Sequence, residues 1–300
     1  MTTRDRFRGL MLGTAVGDAL GRPVEGHQVV SQSYIDEILA GPRSMIYTDD
    51  TAMTIWLAES LLAAGRFDGA DMSMRFAQGY QQEPYRGYGA NVVDVFSRVL
   101  RGFNWAETAR SQFGGTGSYG NGAAMRVAPV ALWGFPDIDA TVRLAEQTAE
   151  VTHTHPVGVE GAAIQAVAAA HALRDDFDRD VLLGALDDLV KAEIFRSKLE
   201  VLPKAIETSD EDYARLHLGN GVSAGNSVLT ALYCFLASGG FEETVVRAIR
   251  IGGDADTIAA MAGALAGARY GATAIPEVWT GVEGGERLVE IADQMFERAG

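Results

Sequence analysis

Two short acidic segments, about two hundred residues apart, carry the same types of oxygen-bearing side chain. The first is "YTDDTAM" and the second is "IGGDADTIAAMAGALAG", and in each the acidic residues come directly before an apolar or small-residue stretch. The residues concerned are Thr48, Asp49, Asp50, Asp254, Asp256 and Thr257. Helix capping is the simplest role for either segment alone, because such oxygens accept hydrogen bonds from the first turn and suit the positive helix end. One cap needs only one oxygen, so the repetition calls for a further explanation.

Divalent cations supply that explanation if the two helix openings face each other. Four carboxylates held close together repel one another strongly, and burying one unpaired charge costs roughly several kcal/mol. Carboxylate and hydroxyl oxygens suit Mg²⁺ or Mn²⁺ better than zinc, and the single cysteine, Cys234, excludes a cysteine-rich zinc site. Pairs of metal ions about 3.5 to 4 Å apart are common in hydrolytic sites. The sequence therefore predicts a two-metal hydrolytic centre.

A glycine-rich segment, "FGGTGSYGNGAAMR" at residues 113–126, is a candidate for binding a diphosphate. Exposed backbone amides and the hydroxyl of Ser118 could cradle phosphate oxygens without a lysine. The aromatic rings of Phe113 and Tyr119 could sandwich a base. The spacing matches neither the Rossmann nor the Walker pattern, and a glycine-rich turn with packed aromatics remains the alternative. We expect the segment to open another helix, and the candidate glycines are Gly117, Gly120 and Gly122.

Two further segments add titratable groups. In "VTHTHPVG", His153 and His155 lie between two predicted helices, where hydrogen bonding to a substrate is favoured over zinc binding. Glu25, in "GDALGRPVEGH", follows a turn marked by Gly and Pro. A solvated loop glutamate is one interpretation. If the loop folds over the metal ions, Glu25 could instead be a gate, a ligand or a proton carrier.

Helical periodicity recurs along most of the chain and predicts an all-α protein. Met53, Trp56, Leu57 and Leu61 form one apolar stripe, and period-two strands are hard to find. Glycines at positions 9, 13, 17 and 21 would line one helix face with bare backbone, which predicts a neighbouring helix packed unusually close. No linker or fixed-period repeat interrupts the pattern, so we expect one domain over residues 1–300.

Composition limits the class of partner. Apolar residues make up 47% and charged residues 22%, which is enough for a large core. The net charge is −15 with the basic residues dispersed, so binding to nucleic acid is disfavoured. No apolar run approaches the length of a membrane span, and the N-terminus does not read as a signal peptide. We expect a cytoplasmic protein that does not bind membranes and acts as a monomer.

Several long motifs, taken in order, resemble the ADP-ribosylglycohydrolase family. They are "GDALGRPVEG", "YTDDTAM", "RGYGA", "GSYGNGAAMR", "TH" and "GGDADTIAAMAGALAG", and the resemblance covers nearly the whole chain. It implies an orthogonal multi-helix bundle with a binuclear magnesium centre in a cleft, and an enzyme that acts on ADP-ribosylated proteins or ADP-ribose derivatives. Manganese is the other metal that the oxygen ligands allow.

The resemblance also implies a role for each matching residue. The six threonine and aspartate residues of the acidic segments would be the metal ligands, with Asp49 and Asp256 also catalytic and Glu25 a catalytic carboxylate on a mobile flap. The phosphate and distal ribose side would be held by Gly117, Ser118, Tyr119, Gly120 and Asn121. Phe113 and Tyr119 would stack on adenine, and His153 would bind near the phosphates and the ribose.

Different motifs of the chain resemble family members that cleave different linkages. The segments "RFAQGYQQEPYRGYGANVV" and "FGGTGSYGNGAAMR" are most similar to type 3, serine-directed members, whereas "THTHPVG" resembles the arginine-directed and broader bacterial branches. Serine O-glycosidic linkages are therefore favoured, with polymer or O-acetyl-ADP-ribose as further substrates. The alternatives are an arginine-directed enzyme of the dinitrogenase-reductase-activating type, a non-catalytic ADP-ribose-binding or crystallin-like member, and a different metal-dependent hydrolase.

Overall fold

The computed structural model describes residues 1–28, 30–40 and 44–299. The expected domain of residues 1–300 thus includes Val29, residues 41–43 and Gly300, which lie outside the described residues. The described part contains sixteen α-helices and no β-strand, which confirms the predicted all-α multi-helix bundle. The helices are α1 (Thr3–Gly21), α2 (Gln32–Leu39), α3 (Asp49–Ala64), α4 (Gly69–Gln82), α5 (Ala90–Leu100), α6 (Trp105–Arg110), α7 (Ala128–Gly134), α8 (Ile138–Ala149), α9 (Pro156–Ala172), α10 (Arg179–Leu189), α11 (Glu193–Thr208), α12 (Glu211–Leu218), α13 (Ala224–Leu236), α14 (Phe241–Ile251), α15 (Ala255–Tyr270) and α16 (Gly285–Ala299).

Short polar side chains set where many of these helices begin. Four caps each accept hydrogen bonds from two amides of the following turn, and they are Asp68, Asn104, Asp178 and Asp210. These bonds satisfy amides that have no partner within the helix. At the other end of α3, Gly65 adopts a left-handed conformation with φ of 68°, which suits a residue without Cβ.

The predicted close helix pair is formed by α1 and α15. A Cβ at Gly13 would lie 2.2 Å from the carbonyl oxygen of Gly263, and one at Gly17 would lie 1.9 Å from that of Ala259. Real Cβ atoms do not approach oxygen so closely, so glycine is required where the backbones touch. Because Gly9 faces Gly267 at one end and Gly21 faces Ala255 at the other, the two helices run antiparallel. We call this contact the glycine seam.

The core surrounds the seam and extends through α9 and α13. Both helices are buried on nearly all sides, and the buried Cys234 lies within α13. Burial raises the pKa of the Cys234 thiol. Among the described residues, every helix is too short or too polar to serve as a bilayer span. The seam places the start of α15 beside the end of α1, where the acidic segments lie.

Candidate active site

One cavity of about 500 Å³ collects most of the residues that the sequence singles out. Its lining includes the predicted residues Glu25, Asp49, Asp50, Phe113, Ser118, Tyr119, Gly120, Asn121, His153, Asp254, Asp256 and Thr257. Thr48 and Gly117 lie outside this lining, although each adjoins residues that belong to it. Widely separated segments thus share one pocket, as enzyme sites commonly do.

The first acidic segment forms the N-terminus of α3. Thr48 is the cap, and its hydroxyl donates to Oδ2 of Asp50 at 3.2 Å. Asp50 is 1% exposed, and its Oδ1 has no hydrogen-bond partner. A buried carboxylate oxygen without a donor is unfavourable unless a cation or water meets it. Capping is therefore only part of what this segment does.

Asp18, a buried residue in the last turn of α1, anchors that segment. Its carboxylate accepts from the amide of Thr48 at 2.9 Å, from the amide of Thr51 at 3.1 Å and from the Thr51 hydroxyl at 2.6 Å. Sequence reasoning did not assign Asp18 to the site. The available signal was an aspartate within the glycine-rich and apolar C-terminal half of α1, because a carboxylate needs a partner when it is buried.

Arg86, in the "RGYGA" motif, holds the other side of the same helix start. Its backbone carbonyl accepts from the amide of Asp49 at 2.8 Å, and its guanidinium donates to the carbonyl of Tyr47 at 3.0 Å. The guanidinium is buried, forms an ion pair with Glu283 at 2.7 Å and lies 4.1 Å from the centroid of the Tyr47 ring. The position of the first aspartates of α3 is thus set from two directions.

The second acidic segment meets the first, as predicted. The hydroxyl of Thr257 donates to Oδ2 of Asp50 at 3.3 Å, which joins α15 to α3. Glu25, Asp254 and Asp256 each offer a carboxylate oxygen within 4.8 Å of the others, so they could hold a metal ion. Glu25 is exposed whereas the two aspartates are buried, which fits a loop carboxylate that closes over a fixed pair.

Burial and mutual repulsion raise the pKa of the clustered carboxyl groups. Burial raises the pKa of Asp49 to about 8, with the negative charge of Asp18 as the next cause. Burial likewise raises the pKa of Asp254 to about 6 and those of Asp50 and Asp256 well above their usual range. Like charges that are both buried and crowded disfavour ionisation, and a divalent cation reverses that preference.

The glycine-rich segment lies directly beside the acidic residues. Gly120 forms an isolated bridge with Ser223, and the amide of Asn121 donates to the carbonyl of Val222 at 3.0 Å. The side-chain amide of Asn121 donates to Asp254, so this segment is tied to the acidic cluster. The expected helix does not begin within residues 113–126. Turns fill residues 122–126, and α7 begins only at Ala128, next to a proline that favours a first helical turn.

The two aromatic rings of this segment lie at the rim. Phe113 and Tyr119 are 48% and 52% exposed, with ring centroids 6.2 Å apart and planes tilted by 32°. The rings contact each other, so a base that enters between them requires them to separate. Phe113 also has a φ of 50°, a left-handed conformation that is rare for residues with a side chain.

The two histidines of "VTHTHPVG" have different surroundings. His153 is buried and lines the cavity, and its Nδ1 lies 2.7 Å from the hydroxyl of Thr152. Burial, together with the positive charge of Arg126, lowers the pKa of His153 to about 3. His155 instead caps α9, where its Nδ1 accepts from the amide of Val157 at 3.2 Å. Only His153 therefore faces the pocket.

A helical bundle that gathers an acidic cluster, a glycine-rich loop and a buried histidine around one cavity has the arrangement of an enzyme active site. A family model described as ADP-ribosylglycohydrolase matches residues 1–300. The chain therefore belongs to the ADP-ribosylglycohydrolase family, and it is an enzyme of the ADP-ribosylhydrolase class.

Similar proteins cover nearly the whole chain. The protein named ADP-ribosylhydrolase ARH3 from Homo sapiens is 36% identical, with 98% of this chain and 94% of that protein aligned. A protein from Pseudomonas putida named ADP-ribosylarginine hydrolase Tri1 is 26% identical, with 98% of this chain and 79% of that protein aligned. A solved structure titled ADP-ribosylglycohydrolase-related protein complex superposes with a TM-score of 0.78 at 29% identity, covering 99% of both chains.

Proposed function

We propose that this chain hydrolyses the bond between ADP-ribose and a modified protein, with the serine O-glycosidic linkage preferred. The observation that carries the proposal is that the carboxylates of α3 and α15 share one cavity with the glycine-rich segment of residues 113–126. An ADP-ribose that spans this cavity would place its diphosphate at the glycines and its distal ribose at the acids. The name of the human relative, ADP-ribosylhydrolase, supports the same reaction.

Two Mg²⁺ ions, or Mn²⁺ ions in their place, fit the acidic end of the cavity. Asp50 has a buried oxygen without a partner, and the carboxylates nearby have raised pKa values. The donor atoms are carboxylate and hydroxyl oxygens, which these ions prefer. The residues that would hold the ions are Thr48, Asp49, Asp50, Asp254, Asp256 and Thr257. When bound, the ions would supply Lewis acidity to the ribose hydroxyls of the substrate.

The side chains of the cavity then have distinct tasks. Glycoside cleavage passes through a transition state with positive charge at the anomeric carbon, so the anionic oxygens of the cluster stabilise it. Asp49 or Asp256 takes a proton from the attacking water, and Glu25 on its exposed loop protonates the leaving oxygen. Water forms the new bond to the anomeric carbon while the bond to the serine oxygen breaks. The products are ADP-ribose and the unmodified serine.

Next to the acids, the segment from Gly117 to Asn121 binds the diphosphate and the adjoining side of the distal ribose, and Phe113 and Tyr119 stack on adenine. Backbone amides, rather than a lysine, provide the donors for phosphate. His153 donates a hydrogen bond near the phosphates. We further propose that residues 1–300 form a single domain that acts as a monomer in the cytoplasm on ADP-ribosylated proteins.

A mass-spectrometric assay of serine-linked and arginine-linked ADP-ribosyl peptides, with and without a chelator, tests the function. We expect release of ADP-ribose from the serine-linked peptide, loss of release with chelator, and loss in an Asp256→Asn variant. Asp187→Asn, on the exposed face of α10, is the matched control and should leave release unchanged. Release of AMP or inorganic phosphate, or activity that the chelator does not affect, would contradict the proposal.

The arginine linkage is the second candidate. The similarity to the Pseudomonas putida protein named ADP-ribosylarginine hydrolase favours it, as does the His-Pro pair at positions 155 and 156. The same assay decides between the two candidates, because preferential release from the arginine-linked peptide would select this one. If neither peptide is cleaved but ADP-ribose binds, the chain is a non-catalytic reader.

A further inference from the structure

Arg126 is a fully buried arginine whose hydrogen bonds all go to uncharged acceptors. Its guanidinium donates to the carbonyl of Gly122 at 2.9 Å, the carbonyl of Thr148 at 3.1 Å and the hydroxyl of Thr152 at 2.8 Å. It also lies 4.8 Å from the centroid of the Phe76 ring. Within the described part of the chain, no carboxylate forms a salt bridge with it. Burial lowers the pKa of Arg126 to about 9, and the charge of Asp49 opposes that effect only in part. A buried charge without a direct salt bridge is costly, so a functional reason for this arginine is needed.

The hydrogen bond from Arg126 to Thr152 determines which group is the donor in the hydrogen bond between Thr152 and His153. A guanidinium has donors only, so the Thr152 oxygen accepts from Arg126. The single hydroxyl proton of Thr152 is then free for its other partner, Nδ1 of His153 at 2.7 Å. Nδ1 must accept that proton, and the ring proton of a neutral imidazole must therefore sit on Nε2.

A hydrogen bond in the opposite direction, from Nδ1–H of His153 to the Thr152 oxygen, is disfavoured because it leaves the hydroxyl proton of Thr152 without an acceptor in the described part of the chain. If Nδ1 carried the proton, the Thr152 oxygen would accept from both neighbours, and its own proton would have no acceptor among the described residues. A buried hydroxyl proton without an acceptor is unfavourable. Protonation of both ring nitrogens is disfavoured as well, because burial and the charge of Arg126 keep the pKa of His153 at about 3.

Nε2 of His153 faces the glycine-rich segment. A Cβ added at Gly120 would lie 3.3 Å from Nε2, and one added at Gly122 would lie 3.1 Å from it. The described protein offers Nε2 no hydrogen-bond partner, in contrast to Nδ1. The bare backbone at both glycines leaves the Nε2 proton directed to the cavity.

We propose that Arg126 and Thr152 are positioning residues that fix His153 as the Nε2–H tautomer. In this form the Nε2–H group of His153 is a permanent, uncharged hydrogen-bond donor to the cavity. The Nε2–H group donates to an oxygen of the bound molecule, on a phosphate or a ribose. This choice of acceptor rests on the proposed function. A histidine held in this way does not exchange protons during the reaction. It adds a donor to a phosphate-binding segment that has no lysine.

The tautomer is read directly by long-range ¹H–¹⁵N NMR of the histidine rings in the magnesium-loaded full-length protein. The chain has five histidines, and the signal of His153 is assigned by its loss in a His153→Gln variant. We expect the pattern of an Nε2–H tautomer, unchanged between about pH 5 and pH 8 because an uncharged ring does not titrate there. An Nδ1–H pattern, or titration near the ordinary histidine pKa, would overturn the proposal.

Replacements at Thr152 test the connection to the ligand. Thr152→Val removes the donor to Nδ1 while keeping the shape, so we expect a mixed or Nδ1–H tautomer and ADP-ribose binding weakened about 5-fold to 30-fold. Thr152→Ser keeps the hydroxyl and should restore both the tautomer and the affinity. Binding by Thr152→Val as tight as that of the wild type would overturn the proposal.

Thr141→Val is the matched control, because Thr141 is also buried and its hydroxyl donates only to the carbonyl of Asp137 at 2.9 Å. It should lose a similar amount of stability without changing the tautomer or the affinity, whereas an equal effect in both variants would make the role merely structural. Failure of the wild-type protein to bind ADP-ribose would refute the proposed function, and the spectra would still accept or reject the tautomer.

Discussion

Replacing Gly17 with alanine in the glycine seam tests whether direct backbone contact positions the acidic cluster. The added Cβ would lie 1.9 Å from the carbonyl oxygen of Ala259 and 2.4 Å from its carbonyl carbon. Carbon and oxygen atoms in close contact are about 3.3 Å apart, so α1 and α15 must separate by more than about 1 Å. Both contacted atoms belong to the backbone, so no side-chain rotation relieves the overlap.

The expected cost of Gly17→Ala is at least about 3 kcal/mol of unfolding free energy. Overpacked cores typically lose about 1 to 3 kcal/mol, and this overlap is at the severe end because a helix cannot yield locally. Widening the seam also forfeits dispersion along its length. Because Asp18 is the next residue and α15 begins one turn beyond the contact, we also expect weaker binding of Mg²⁺.

Urea unfolding and calorimetric titration with Mg²⁺ measure the two effects. Gly184→Ala is the matched control, since Gly184 also lies inside a helix, α10, but an added Cβ there meets nothing within 4 Å. The control should gain about 0.5 to 1 kcal/mol from helix propensity alone. A Gly17→Ala variant that unfolds within about 0.5 kcal/mol of the wild type would refute the argument from backbone contact.

Three further predictions concern the site. In chelator, the unfolding free energy should fall as pH rises from about 4 to about 8, because the raised pKa values of Asp49 and Asp254 make the folded state bind more protons than the unfolded state, whose carboxyl groups titrate near 3.8. Urea unfolding at both pH values checks this, and a slope that is no smaller in Asp254→Asn would contradict the assignment. Arg86→Met should cost about 2 to 4 kcal/mol by urea unfolding, since it removes a buried guanidinium that pairs with the partly exposed Glu283 and Glu83. The loss in the double variant with Glu283→Gln should be smaller than the sum of the two single losses, and strict additivity would count against a coupled pair. Phe113→Gly should leave stability unchanged or higher, because it relieves a left-handed backbone, yet weaken ADP-ribose binding about 5-fold to 100-fold by calorimetry; unweakened binding would exclude stacking.

The glycine seam and the facing acidic segments could be predicted because each leaves a periodic or repeated pattern in the sequence. Glycine at every fourth position indicates close helix contact, and the contact of Gly9, Gly13 and Gly17 with α15 confirms it. The two acidic openings were recognised because Asp50 and Thr257 belong to segments of the same composition. The sequence predicts that the two helix starts face each other, whereas the hydrogen bond between Thr257 and Asp50 is known only from the structure.

The remaining parts of the site depend on tertiary contacts that leave no local pattern. The role of Asp18 becomes visible only in the folded chain, where its carboxylate accepts hydrogen bonds from the amides of Thr48 and Thr51. Arg126 reads as one more residue after a glycine-rich turn until the fold brings it to Thr152. The helix expected to open from the glycine-rich segment begins later than that segment, at Ala128, because turns occupy the residues after Asn121.

Helix α1 contacts both helices that carry the acidic cluster, α3 and α15. It grips α3 through the carboxylate of Asp18 and α15 through bare backbone, so a displacement of α1 carries both helices with it. The distance between the carboxylates of α3 and those of α15 should therefore change little when the helices of the bundle move. Entry and exit of a ligand are therefore left to exposed side chains at the rim, namely Glu25, whose own loop is bonded to Gly253 through the backbone of Gly26, and Phe113.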